Sequence, residues 1–148
     1  MKLKAKLGIG TAIIAALVTS MPSHANDAHA HRECNAQMLR GLYLFTGAGF
    51  NLANGATVPK AIVETIRFNG DGTLVAETVT LTVLGQAPIR RENTPGIYTL
   101  EPNCTGTITF ADSPAYDTFV SSPWSISMVQ TGGPVPAVLV GDARFVSR

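Results

Sequence analysis

Histidine is scarce in this sequence, and its few occurrences all lie near the N-terminus. The chain has three histidines in 148 residues, at positions 24, 29 and 31, and none follows them. Ser-His-Asp and Cys-His arrangements need an imidazole base, so they are excluded from the rest of the chain. No Gly-x-Ser-x-Gly motif is present either. His29 and His31 offer two weak metal ligands, but no later histidine completes a site. We therefore predict no metal and no cofactor.

Clustered positive charge is also missing. Arg90-Arg91 is the one place where two basic residues are adjacent, and charged residues make up 14% of the chain. Nucleic acids and anionic membrane surfaces attract a concentrated positive field. Beyond residue 25, no apolar stretch approaches the roughly 20 residues that a membrane-spanning helix needs. The sequence predicts neither a nucleic-acid partner nor an integral membrane segment in the mature protein.

The N-terminus has the three-part pattern of a secretory signal. Lysines at positions 2, 4 and 6 precede an apolar run, 7–18, and a small-residue stretch, 19–25. The apolar run is about 12 residues, too short to span a bilayer as a helix. We predict cleavage after Ala25; cleavage after Ala30 and an uncleaved anchor are the alternatives. Residues 1–25 are thus read as a signal peptide and 26–33 as a flexible tail, with the mature protein secreted or periplasmic.

The remaining chain, 34–148, is long enough for one domain with a substantial core. It contains both cysteines, Cys34 and Cys104. An even count in an oxidising compartment favours a disulfide, with two free thiols as the alternative. Closing a loop of about 70 residues would stabilise the fold by about 4 kcal/mol in the chain-entropy model.

Short β-rich segments broken by Gly, Pro, Asn and Asp clusters fill this domain. The pattern is typical of an antiparallel sandwich or barrel, and we predict a single all-β antiparallel barrel of about eight strands. A short helix at 34–39 is a further prediction. The predicted strands are Leu39–Thr46, Ala61–Asn69, Thr73–Leu84, Gly96–Leu100, Thr105–Ala111, Tyr116–Ser122, Trp124–Thr131 and Ala137–Val146.

The segment Asn69-Gly70-Asp71-Gly72 predicts a hairpin between the second and third strands. If Phe68 pairs with Thr73, four apolar side chains share the inward side: Ile62, Ile66, Val75 and Val79. A one-residue slip would mix the two faces, so we prefer the first register.

This register places Glu64 directly opposite Glu77 on the apolar side. Like charges in that position are destabilising, and burial would raise at least one carboxyl pKa. A proton, an arginine such as Arg90 or Arg91, a cation, or exposure at a barrel rim would compensate. A functional acidic pair is the alternative.

The order of motifs resembles a family of small exported bacterial proteins of unassigned function. In that family a cysteine precedes a first strand with spaced glycine and aromatic residues, and a glycine-rich hairpin precedes a hairpin with a second cysteine. An aromatic strand, a glycine-rich turn and a "G.A" motif complete the order. The matching segments here are Cys34 with 39–45, 67–74, 96–110, 128–133 and 141–144. The resemblance covers nearly all of the mature chain. It implies a calycin-like or allene-oxide-cyclase-like β-barrel and supplies no catalytic residues.

An eight-stranded barrel is either filled by side chains or wide enough for one small ligand. The leading hypothesis is a non-catalytic protein that binds a small, largely apolar molecule, with Glu64, Glu77 and Trp124 as candidate ligand-binding residues. The alternative is a structural or surface-interaction protein with a solid barrel, whose contact loops would be 47–60 and 85–95. An enzyme ranks third: a cyclase or isomerase by fold analogy, or a hydrolase using the two carboxylates.

Overall fold

Eight antiparallel strands follow one another along the chain and close into a barrel. A computed structural model describes residues 33–53, 55–111 and 114–148. The predicted signal peptide, the His29-x-His31 pair and tail residues 26–32 lie outside the described residues. The strands are β1 (Arg40–Ala53), β2 (Ala56–Asn69), β3 (Thr73–Val83), β4 (Ile89–Leu100), β5 (Thr105–Phe110), β6 (Ala115–Ser122), β7 (Ser125–Gly132) and β8 (Ala137–Ser147).

Each strand pairs with the next, and β8 returns to pair with β1 from Leu42↔Ser147 to Asn51↔Ala137. Alternate side chains point into the barrel, as Tyr116, Thr118 and Val120 of β6 do. The prediction of an all-β barrel with eight strands is confirmed. Of the described residues, none belongs to a helix with the length and apolar character required to span a membrane.

Aromatic rings fill the barrel at the end that carries the β2–β3, β4–β5 and β6–β7 turns. Phe68 lies edge-on to Tyr43 and to Tyr98, with ring centroids 5.1 Å and 5.0 Å apart. The Tyr98 hydroxyl donates to the backbone oxygens of Ala36 and Leu39 at 2.8 Å and 3.1 Å. These contacts attach the segment before β1 to the filled end. That segment forms a single 3₁₀ turn, Ala36–Met38, where a short helix was predicted.

A disulfide joins Cys34 to Cys104, as the sequence predicts. The two Cα atoms are 5.0 Å apart, and the Cys34 amide donates to the Pro102 oxygen at 3.1 Å. The bridge therefore holds the entry of the chain against the β4–β5 turn.

Three strands are longer than predicted, and most of the segments 47–60 and 85–95, which were predicted as loops, is strand. A contact role for these segments stays a prediction. Residues 47–53 continue β1, 56–60 begin β2 and 89–95 belong to β4. Glycine and proline in these segments suggested breaks, yet Pro59 pairs with Phe50 across the β1–β2 hairpin. A Cβ on Gly49 would lie 1.9 Å from the Val138 oxygen, so this glycine serves a close approach of β8 rather than a turn.

The predicted pairing of β2 with β3 is also wrong, although the Asn69–Gly72 turn is present. Phe68 pairs with Leu74 and Ile66 with Ala76, and then the register shifts by one residue so that Glu64 pairs with Val79 and Ile62 with Leu81. Glu77 is the extra residue of this β-bulge. The bulge keeps apolar side chains inside on both sides of the shift: Ile62, Ile66, Leu74, Ala76, Val79 and Leu81.

The bulge has two consequences for the predicted inward group. Ile62, Ile66 and Val79 pack in or against the core, whereas Val75 sits between buried Leu74 and Ala76 and points outward. Glu64 and Glu77 do not face each other. The predicted pairing was wrong because it assumed uniform alternation along β3. The inserted residue changes which side chains face inward.

Candidate ligand-binding cavity

A cavity of about 370 Å³ occupies the barrel end opposite the aromatic cluster, where the β1–β2, β3–β4, β5–β6 and β7–β8 connections lie. The ring cluster of Tyr43, Phe68 and Tyr98 that fills the other end does not extend into this space. Much of the lining is apolar and includes Ile62, Val79, Leu81, Val83, Ile89 and Phe110. Polar and charged side chains also line it, among them Lys60, Glu64, Arg91, Thr94, Tyr116 and Gln130.

Glu64 lies deep in this cavity on β2. Its cross-strand neighbours are apolar, Phe45 on β1 and Val79 on β3. The residue is 4% exposed, and its Oε1 has no hydrogen-bond partner among the described residues. Loss of hydration raises the pKa of the Glu64 carboxyl to about 7. Near neutral pH the group is thus shared between its acid and carboxylate forms.

Tyr116 on β6 also faces the cavity interior. Its ring lies edge-on to Phe45, with centroids 5.8 Å apart. Burial first, and the nearby Glu64 charge second, raise the pKa of the Tyr116 hydroxyl above its ordinary value of 10.0. The phenol therefore stays neutral and can act as a donor or acceptor within the cavity.

Lys60 lies four residues before Glu64 on β2 and points to the same side, with Ile62 between them. The side chain is buried, and its Nζ donates to Gln130 Oε1 at 2.6 Å. Gln130 is oriented by its Nε2, which donates to the Gly132 oxygen at 2.9 Å. Burial lowers the pKa of the Lys60 ammonium from its ordinary 10.5. The buried Lys60 ammonium is thus hydrogen-bonded to the neutral side-chain amide of Gln130.

Glu77 lies away from the cavity because the bulge places it on the outer side. Its Oε1 accepts from Arg67 Nε at 2.5 Å, and both side chains are partly exposed. The predicted acidic pair does not form: Glu77 pairs with Arg67 on the outer face of the barrel, and Glu64 is buried inside it. The predicted arginine compensation comes from Arg67, two residues before the end of β2, rather than from Arg90.

Trp124 lies at the opposite end of the barrel, in the tight β6–β7 connection. It is 54% exposed and packs edge-on against Phe145, with centroids 4.9 Å apart. It borders an open groove together with Arg40, Arg67 and Arg148. The structure therefore does not bring Trp124 together with Glu64.

Comparison with family models, curated proteins and solved structures finds no match. Membership of the exported family that the order of motifs resembles therefore stays a prediction. No group of three or more His, Cys, Asp or Glu side chains is positioned to hold a metal ion in the parts of the chain that the structure describes.

Sequence reasoning missed Lys60 and Gln130. Lys60 was assigned to a loop, since the second strand was predicted to begin at Ala61. Alternation extended back from Glu64 would have placed it on the same side. Gln130 lay within a predicted strand. Its contact with Lys60 could not be predicted, because the two residues are 70 positions apart in sequence.

Proposed function

We propose that this chain is an exported, non-catalytic binding protein for a small, largely apolar molecule held in the Glu64 cavity. The supporting observation is a barrel cavity of about 370 Å³ with an extensive apolar lining and a few polar groups. Ligand pockets typically have volumes of roughly 300–1,000 Å³ and this kind of lining. An eight-stranded barrel has room for one small ligand.

Export is supported by the disulfide and by the N-terminal sequence. A bridge between Cys34 and Cys104 persists in an oxidising compartment such as the periplasm or the extracellular space. The three-part pattern of residues 1–25 is that of a secretory signal. The order of cysteine, glycine and aromatic motifs further supports membership of the calycin-like family of small exported proteins.

The binding proposal is tested by filling the cavity. Val79→Trp places a large ring in the space that Val79 borders, and Val63→Trp is the matched control on the exposed outer side of β2. The neutral fluorescent probe N-phenyl-1-naphthylamine should bind the parent and Val63→Trp with similar affinity. Val79→Trp should bind at least about tenfold more weakly, since an occupied cavity excludes the probe.

Native mass spectrometry of protein purified from its natural host supplies a second readout. The parent should carry a small co-purifying molecule that Val79→Trp lacks, with both proteins showing the same far-ultraviolet circular dichroism. Equal probe binding by Val79→Trp and the parent would overturn the proposal. So would a parent that carries no molecule and binds no probe.

A further inference from the structure

Two buried ionisable side chains of opposite sign lie on one strand and face one cavity. Lys60 is 9% exposed and Glu64 is 4% exposed. Four residues of extended strand separate their Cα atoms by about 13 Å. Ile62 lies between them on the same side. The polar groups therefore mark two separate points along an apolar surface.

Neither group has its hydrogen-bonding capacity filled within the described part of the chain. Lys60 Nζ has three donor hydrogens, and one goes to Gln130 Oε1. Glu64 Oε1 has no partner. Burial of an ammonium or carboxyl group is costly unless it is paired. A ligand that supplied the missing partners would recover part of this cost.

We infer that the cavity selects small apolar carboxylates, whose carboxylate pairs with Lys60 and whose distal hydroxyl or carbonyl oxygen meets Glu64. This inference rests on the proposed binding function and specifies its ligand class. The carboxylate accepts from Lys60, and the intervening hydrocarbon contacts Ile62, Val79 and Leu81.

The charges that line the cavity favour an anion over a cation. Among the described lining residues, Lys60 is a buried cation and Glu64 is the one acid. Burial favours the neutral form of Glu64. The buried Lys60 ammonium therefore gives the cavity interior a positive charge, which disfavours an amine and favours a carboxylate.

Glu64 suits an uncharged oxygen at the inner end of the ligand. Its protonated form donates one hydrogen bond and accepts others, and its ionised form accepts from a hydroxyl. The terminal torsion of a glutamate side chain is broad, so a small rotation presents either oxygen to the cavity.

Four probes of matched chain length test the inference on the unmodified protein: octanoate, 1-octanol, octylamine and 8-hydroxyoctanoate. Titration calorimetry at pH 7 should show octanoate binding at least about tenfold more tightly than octanol or octylamine, as a charge-assisted contact provides. The hydroxylated acid should bind more tightly than octanoate. Octylamine binding as tightly as octanoate would overturn the inference.

Variants then assign the two contacts. Lys60→Met should abolish the preference for octanoate over octanol, while Lys60→Arg should retain it. Glu64→Leu should leave that preference intact and reverse the preference for 8-hydroxyoctanoate over octanoate. An unchanged octanoate preference in a folded Lys60→Met protein would overturn the carboxylate contact.

The two proposals fail in different ways. If the parent binds N-phenyl-1-naphthylamine and octanol but shows no preference for octanoate, the inference is wrong and the binding function stands. If it binds none of the probes, both are wrong. Because the four-probe comparison uses the parent, its outcome does not depend on the folding of any variant.

Discussion

Glu64 shows how the surroundings of one side chain set its chemistry. Phe45 and Val79 flank it across β1 and β3, so little water or polar backbone compensates its charge. The resulting rise of its pKa to about 7 makes ionisation part of the folding equilibrium. A carboxyl on the outer face, such as Glu77 beside Arg67, has no such environment.

The unliganded protein should lose stability as the pH rises from about 4.5 to about 7. In this window the folded state holds a proton on Glu64 that the unfolded state releases, so the free energy of unfolding falls as pH rises. The shift corresponds to about 3 kcal/mol. Glu64→Gln should remove this fall in urea unfolding measured at pH 4.5, 6 and 8.

Glu77→Gln is the matched control for this titration. It removes a partly exposed ion pair, which costs at most about 1 kcal/mol, and should keep the parent's fall between pH 4.5 and 7. Identical pH profiles for the parent and Glu64→Gln would contradict the assignment.

At the scale of elements, the bulge at Glu77 decides which half of β3 faces inward. Without an extra residue, Leu74 and Ala76 could not share the inward side with Val79 and Leu81. The bulge thereby gives the cavity its apolar lining and moves one carboxyl outside. The sequence contains these apolar residues, but their spacing of two, then three, then two positions fits no uniform strand pattern.

Deletion of Glu77 should therefore be tolerated better than deletion of Thr80. Without Glu77, Ala76 and Thr78 become neighbours and keep their partners Ile66 and Thr65 on β2. On β4, Asn93 lies between their partners Thr94 and Glu92 and becomes the extra residue, so we expect a loss of about 1–3 kcal/mol. Without Thr80, Leu81 and Val83 move to the outer side, and the loss should exceed about 4 kcal/mol. Thermal and urea unfolding measure both; equal losses would contradict the role assigned to the bulge.

At the scale of the whole molecule, closure depends on contacts between distant parts of the chain. β1 pairs with β8, and the disulfide connects the chain before β1 to the β4–β5 turn across 70 residues. Tyr98 adds hydrogen bonds to the same entry segment. The filled end is thus fixed by covalent and aromatic contacts, while the cavity end is formed mainly by aliphatic side chains.

Reducing the disulfide of the parent should lower the free energy of unfolding by about 4 kcal/mol, because the unfolded chain regains the freedom of a long loop. The same reductant should leave the stability of Cys34→Ala unchanged. Thiol labelling of unreduced, denatured parent should find no free cysteine, while reduced parent labels at both. A change below about 1 kcal/mol on reduction would contradict this contribution.

Much of the fold follows from the sequence, and less of the site does. All eight strands, the Asn69–Gly72 turn and the disulfide were predicted, and so were Ile62 and Ile66 as inward residues. Glu64 was singled out because a charge interrupts an apolar alternation. Its predicted partner Glu77 was wrong, because uniform alternation was assumed along β3. Lys60 was missed because the second strand was predicted to begin at Ala61.

The amino-acid pattern alone determined the strands and their turns, because period-two alternation and glycine-rich breaks act on neighbouring residues. It also determined the candidate disulfide, because only two cysteines are present. Tertiary structure alone decided where the strands end, where the bulge lies and which residues surround Glu64. These depend on hydrogen bonds and packing between strands, and a residue's partner across a barrel can lie 70 positions away, as Gln130 does from Lys60.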